Sequence, residues 1–446
     1  EYKQKYDKNA LWEFMNVILI LALMILSVLT LIGILFAPWI VRVMAPGFIA
    51  EPQKLSMTIQ LTKLMFPYVI LIGLTAYSVG ILFTFKSFAI SAFSPCLLNL
   101  AMIAGACISF YTSLEPVYWL AISVLVGGVL QLAVQIPPMF KIGFRLKKPK
   151  SLKHPGAMQI GRLLIPRMFG SGIYQLTVFI DSFCASLAFI VGPGGISAIY
   201  YSNRIIQFPM GIFSVALASA VLPSLSGLAS RKDMAALKKM IVFSLENIFF
   251  IMCPTTVIIL FLSNPIIRVL FQRGEFDLHS TTITASALAF YSIGLFSFGG
   301  IKILVTSFYA LQDTKTPVKV AGACLLINVA LNFVLMFPLK VGGIALASSI
   351  AGTIDFLVLL YIMEKRLGGL NSDLLSYFLK VISAAGLIGV FEFWSWNHWS
   401  FSNEVVKLFC IGGLGFVLYE IICLGLKVEQ AQKIWEWIKK GIGLKG

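Results

Sequence analysis

Charge is what this chain has least of. Only 12% of its 446 residues are Asp, Glu, Lys or Arg, while 59% are hydrophobic, against roughly 25% charged in an ordinary soluble domain. A soluble globular fold is excluded. Apolar runs of about 20 residues recur from end to end, so the expected class is an all-α polytopic membrane protein. Histidine is rarer still, with three, and the seven cysteines (Cys96, Cys107, Cys184, Cys253, Cys324, Cys410, Cys423) all fall in apolar segments with no Cys-x-x-Cys pair. Neither a disulfide framework nor a zinc site is supported. The alternating ten-residue segments of a membrane barrel are missing too. So are a P-loop, His-Glu-x-x-His, Gly-x-Ser-x-Gly and a strand-led Gly-x-Gly-x-x-Gly, which leaves no sign of an ATPase, a familiar hydrolase or an organic cofactor.

Acidic residues are outnumbered, 19 against 35 Lys and Arg, for a net charge of +16. The excess lies in short loops between apolar runs rather than on one basic face, which argues against nucleic acid and for positive-inside topology. Twelve spans are expected: 10–38, 59–86, 95–112, 116–142, 158–190, 197–229, 233–271, 281–311, 316–337, 341–366, 373–397 and 403–427. With the Lys-rich start (Lys3, Lys5, Lys8) inside, alternation leaves Arg42, Lys54, Arg268, Arg273, Lys340 and Lys407 near outer ends. Lys63, Arg167, Arg204, Lys302 and Lys380 fall within spans, and every other Lys and Arg falls inside. Both ends of the chain are therefore expected on the cytoplasmic side.

The chain also repeats itself weakly at an offset of about 223 residues. Pro38-Trp-Ile-Val-Arg42-Val-Met with Gly47-Phe48 resembles Pro265-Ile-Ile-Arg268-Val-Leu with Gly274 and Phe276, and Gly128-Val-Leu-Gln131 resembles Gly352-Thr-Ile-Asp355. Spans one to four then correspond to spans seven to ten, and spans five and six have no counterpart ahead of residue 1. The first two helices of the N-terminal lobe are thus expected to be absent from this chain, in keeping with a first residue that is Glu rather than Met. The expected organisation is two pseudo-symmetric helical lobes, residues 1–150 with four of six helices and 151–370 with six. Two additional helices follow in 371–428, then an interfacial amphipathic tail in 429–446.

An ionisable residue inside a span costs at least about 2.5 to 3.5 kcal/mol at the helix centre and is a functional candidate by default. Arg204 lies within Tyr200-Tyr-Ser-Asn-Arg-Ile-Ile-Gln-Phe-Pro209, roughly 10 Å in from the outer end. It can snorkel to the interface or line a cavity; Asn203, Gln207 and the helix-bending Pro209 favour a polar, bent cavity face. Lys302, after Gly299-Gly300, reaches the bundle interior or the inner interface, with a cavity role favoured. Arg167 reads equally as an interfacial anchor or a substrate contact, and Lys63 and Lys380 read as snorkelling. Cavity cations without nearby carboxylates call for an anionic ligand, and a planar guanidinium suits phosphate. A second group, Asp181, Asn328, Asn332 and Ser348, carries hard oxygen ligands of the kind Na⁺ wants, or interhelical hydrogen bonds that hold the bundle together. Glu246 and Asp355 are isolated and left unassigned.

Tyr200 to Ser226 resembles the signature of the lipid II flippase (MurJ/MviN) family, as do Leu270-Phe-Gln-Arg-Gly-Glu-Phe-Asp277 and Ser307-Phe-Tyr-Ala-Leu-Gln-Asp-Thr-Lys-Thr-Pro317. The resemblance covers essentially the whole chain and extends to the wider superfamily of multidrug, oligosaccharidyl-lipid and polysaccharide exporters. It implies a bacterial inner-membrane transporter, not an enzyme, that moves undecaprenyl-pyrophosphate-linked peptidoglycan precursor from the inner to the outer leaflet by alternating access. Its partners are then lipid II, membrane lipids and proteins of cell-wall synthesis. It also implies that Arg204 meets the pyrophosphate, that Ser197 lies near the cavity mouth, and that the last two spans form a lipid-tail groove. A Na⁺ site is implied at Asp181, Asn328, Asn332 and Ser348 with the carbonyl of Ile344, although Asn332 stands where some members carry an acid. Two rivals from the same superfamily are a flippase for another lipid-linked oligosaccharide and a drug/cation antiporter. The signatures argue against the first and the unpaired cations against the second. A non-transporting scaffold for cell-wall enzymes is the third.

Overall fold

The computed structural model describes residues 8–149, 151–369 and 373–441. Among the described residues there are helices and no strands. Among the described residues ten helices are long and apolar enough to cross a membrane, or eleven if one bent pair counts as a single span. The chain divides into two compact units, Glu1–Ser171 and Gly172–Gly446.

The first unit begins with α1 (Lys8–Met44), whose most apolar stretch is only 17% buried. A long helix so exposed and so apolar is explained by lipid on its open face. A 3₁₀ turn (Pro46–Ala50) leads to α2 (Pro52–Met65) and α3 (Tyr68–Thr84). Then come α4 (Ala89–Ser109), α5 (Pro116–Ala133) and the short α6 (Ile136–Lys141). Glycines let α4 and α5 touch: a Cβ on Gly127 would stand 2.9 Å from the Leu98 Cα, the close approach that small residues allow between membrane helices. Asn16 of α1 is buried. It donates to the carbonyls of Trp12 and Arg145, and accepts from the Lys147 amide at 3.0 Å, pinning the basic loop after α6 to the first helix.

α7 (Pro155–Ser186) crosses from the first unit into the second. The second unit continues with the one-turn α8 (Ala188–Val191) and α9 (Gly195–Pro209), joined by a π turn (Met210–Val215) to α10 (Ala216–Ser230). After these come α11 (Met234–Phe261), α12 (Ser263–Phe271), α13 (Leu278–Ile293) and α14 (Leu295–Ala310). The remaining helices are α15 (Lys315–Leu339), α16 (Val341–Arg366), α17 (Asp373–His398), α18 (Glu404–Gly425) and α19 (Glu429–Gly441). α11 is the hub. Its most apolar stretch is 56% buried, with Leu237, Ile241, Leu245, Ile248 and Met252 sealed from solvent. The loop ends are capped as the sequence favours: Asp233, Asp277 and Asn403 each accept from a backbone amide of the following turn.

Several expected spans are interrupted, among them 59–86 at Phe66–Pro67 and 116–142 at Val134–Gln135. The span expected over 233–271 stops at Phe261, and a separate helix starts at Ser263 after a non-helical Leu262 (φ −103°, ψ 16°). The span expected over 281–311 bends by 46° between Ile293 and Leu295. Its cause is a residue of another helix, α16: a Cβ on Gly294 would sit 2.8 Å from the Ser349 Cα, and the Ser349 hydroxyl donates to the Phe290 carbonyl at 2.7 Å. A side chain inserted into a helix ladder is a recognised cause of a kink. The tail folds into α19 at the end of the second unit. Val428 and Ala431 are buried in the second unit, and the Lys433 ammonium lies over the Phe243 ring. Ile434, Trp435 and Trp437 remain exposed.

Candidate functional site

The tyrosine-rich stretch folds into α9, and helical spacing sets Ser197, Tyr200 and Arg204 on one side with Asn203 and Gln207 beside them. Ser197 and Arg204 are exposed on the second unit. The guanidinium is held by its own helix: Nη2 donates to the Tyr200 hydroxyl at 3.2 Å and Nη1 to Gln207 Oε1 at 3.4 Å. The guanidinium carbon stands 4.9 Å from the Tyr200 ring centre, within cation–π range. Gln207 in turn donates to Asn203 Oδ1 at 2.6 Å. Among the described residues no carboxylate pairs with Arg204. The result is an oriented cation with its charge uncompensated, on a polar strip of an otherwise apolar span. Such a strip can bind an oxyanion.

Pro209 ends this strip, and the chain passes through the π turn that follows. Bulges of this kind recur at functional positions. The π turn itself packs against α14, with a Cβ on Gly299 reaching to 3.0 Å from Ser214 Oγ, and α10 runs on beside the same helix. That contact fixes the register. Lys302 is exposed and level with α10 some thirteen residues beyond Arg204, roughly 20 Å along the axis at 1.5 Å per residue. On that register Lys302 and Arg204 lie at different depths along the two helices. Arg167 lies within α7, but its side chain falls outside the described residues.

The second group closes into a node. Asp181 of α7 is buried and accepts from Asn332 Nδ2 at 2.9 Å, from the Ser348 hydroxyl at 3.0 Å and from the Tyr291 hydroxyl at 3.4 Å. Asn328 donates to Ser348 Oγ at 3.1 Å and accepts from Asn332 at 3.2 Å. Four helices, α7, α13, α15 and α16, meet there. Ile344 of α16 is fully buried. The donor set is all oxygen, and Asn332 Oδ1 is buried without a hydrogen-bond partner, so the residues fit a small hard cation. Tyr291 is the member that sequence reasoning missed. Its only signal is a tyrosine in an apolar run shortly before a glycine.

An all-helical bundle with apolar helices, an uncompensated guanidinium on a polar strip and a buried oxygen-rich node defines a membrane transporter of the multidrug and lipid exporter fold. A multidrug-resistance MATE family transporter in its inward-facing conformation aligns with a TM-score of 0.67 at 16% identity, covering 80% of this chain and 82% of that one. A structure titled lipid II flippase MurJ, inward closed conformation, aligns with a TM-score of 0.80 at 24% identity, covering 95% and 86%. In sequence, a lipid II flippase MurJ of Burkholderia cenocepacia is 35% identical over 400 residues, 88% of this chain and 76% of that protein. A probable lipid II flippase MurJ of Buchnera aphidicola is 32% identical over 442 residues, 96% and 85%. The family model described as lipid II flippase MurJ matches residues 1–411. The chain belongs to the MurJ lipid II flippase family, and it is a multi-pass membrane protein.

Proposed function

We propose that this chain moves lipid II, the undecaprenyl-pyrophosphate-linked disaccharide-pentapeptide, from the inner to the outer leaflet of the bacterial inner membrane by alternating access. The observation that carries the reading is Arg204: exposed, oriented by Tyr200 and Gln207, and unpaired with any carboxylate among the described residues. A guanidinium binds two oxygens of a phosphate at once, and the pyrophosphate is the part of lipid II with such oxygens to offer. Ser197 lies on the same strip and adds a hydroxyl to the headgroup path. Lys302 serves the anion at another depth of the second unit, and Arg167 is a further cation offered to it. The undecaprenyl tail stays in lipid beside α17 and α18, and both ends of the chain face the cytoplasm. Proteins of cell-wall synthesis supply the substrate on one side and consume it on the other.

The coupling ion in this account is Na⁺ at the Asp181 node, held by oxygens of Asp181, Asn328, Asn332 and Ser348 and the Ile344 carbonyl. Asn332 would turn its amide oxygen toward the ion; the orphaned Asn332 Oδ1 supports this. No covalent chemistry on the substrate is needed.

Binding tests the reading. Full-length protein in nanodiscs should bind lipid II and undecaprenyl pyrophosphate, and should bind undecaprenol far more weakly. Arg204→Ala should weaken the first two at least tenfold and leave the third unchanged. Equal affinity of wild type and R204A for the pyrophosphate lipids would refute the role given to Arg204.

A further inference from the structure

Outside the Arg204 strip and the Asp181 node, Glu392 of α17 is the most isolated ionisable group. It is fully buried, and so is Ser395 three residues on, on the same face of the helix. Neither Glu392 oxygen nor Ser395 Oγ has a hydrogen-bond partner among the described residues. The carboxyl fills a notch in α18: a Cβ on Gly415 would lie 2.5 Å from Glu392 Oε1. Glu392 stands six residues before the end of α17, about 9 Å along the axis at 1.5 Å per residue.

The surrounding elements bring no counter-charge. α11 packs Val257 and Phe261 against Gly389, one turn before Glu392, and its last turns, from Pro254 to Phe261, contain no titratable group. α12 carries Arg268, which pairs with Glu404 of α18 at 3.0 Å. α18 also carries Lys407, whose ammonium lies 4.5 Å from the Trp396 ring centre, and Cys410. Toward its other end α18 carries Tyr419, Glu420 and Cys423; the Tyr419 hydroxyl donates to the Phe250 carbonyl at 2.8 Å. On α17 itself the His398 ring sits against the Trp394 carbonyl, and Lys380 lies more than three turns away. Every nearby cation is engaged elsewhere, and none is a partner of Glu392.

A carboxylate stripped of water, hydrogen bonds and counter-charge is far costlier to bury than the neutral acid. We propose that Glu392 is a proton-binding site of the α17–α18 hairpin. It holds a proton while packed in the Gly415 notch and releases it when the two helices part. The step is a bare proton transfer: the carboxylic O–H bond breaks, the proton passes to water, and the carboxylate remains. No other reactant is needed, and the assignment does not depend on which lipid the protein carries.

Infrared spectroscopy of the full chain in lipid vesicles at pH 7 tests this. The wild type should show a carboxylic-acid C=O stretch that loses one carboxyl equivalent per chain in Glu392→Gln. In Gly415→Ala the added methyl presses on the carboxyl, so the band should shift or vanish. Superimposable wild-type and E392Q spectra in the carboxylic-acid region would overturn the proposal. Should E392Q fail to insert, an unchanged band in G415A would overturn it equally.

Discussion

Removing the Asp181 carboxylate should unlock the node that ties four helices together. In Asp181→Ala, three donors lose their acceptor: Asn332 Nδ2, the Ser348 hydroxyl and the Tyr291 hydroxyl. Interhelical hydrogen bonds in membrane proteins are worth about 0.6 kcal/mol on average and about 1.7 at most. The Tyr291 contact, at 3.4 Å, is the weakest of the three, and Asn332 keeps Asn328 as a second acceptor. The expected loss is therefore about 2 to 3 kcal/mol, dominated by the Asn332 and Ser348 bonds. Asp181→Asn keeps one carbonyl oxygen, which can serve Asn332 or Ser348 but not both, and should lose about half as much. Tyr291→Phe should lose least. Thermal unfolding of purified protein in detergent reads the order directly. Midpoints should fall in the sequence wild type, Y291F, D181N, D181A, with D181A several degrees below wild type. A D181A protein that melts with the wild type would refute the idea that the node holds these helices together.

Other perturbations should be equally direct. Replacing KCl by NaCl should raise the melting midpoint of the wild type and not that of D181A; an equal response of both would exclude Na⁺ at the node. Gly294→Ala places a Cβ 2.8 Å from the Ser349 Cα, an overpacking that should cost about 1 to 3 kcal/mol and lower the midpoint. Asn16→Ala frees the loop after α6, so limited proteolysis between Phe144 and Lys148 should quicken while the rest of the chain resists. Asp313, in the loop before α15, is held below its ordinary carboxylate range first by the Thr316 backbone amide and then by the Thr316 hydroxyl and the Arg366 guanidinium. A depressed folded value stabilises above the ordinary value of 3.8 and is lost as pH falls through the folded one. Asp313→Asn should therefore flatten the stability decline of the wild type below about pH 4, and an unchanged decline would assign it to other carboxylates.

Long apolar runs made the helices legible in the sequence, because backbone groups in a bilayer must satisfy one another locally. The interruptions were not legible, since they depend on distant partners. Gly294 bends its span because Ser349, from another helix, reaches its backbone, and no local pattern announces that meeting. The polar side of the candidate site was readable where spacing alone decides: Asn328 and Asn332 share a helix face, and so do Tyr200, Arg204 and Gln207. Tyr291 joins the node across 110 residues, and the separation of Lys302 from Arg204 follows from how α10 registers against α14. Neither is encoded in a single helix. Glu392 escaped notice for the same reason. Lying near a helix end it looks like any interfacial acid, and only the packing of Gly415 shows that it is sealed in.

The central claim is that Arg204 carries the pyrophosphate of lipid II across the membrane. The most direct measurement shuts off a bacterial host's own lipid II flippase and supplies the natural full-length gene or its Arg204→Ala version at matched membrane levels. The account predicts growth with the first and lysis with the second. Growth with both would contradict the role of Arg204, and growth with neither would contradict lipid II as the substrate.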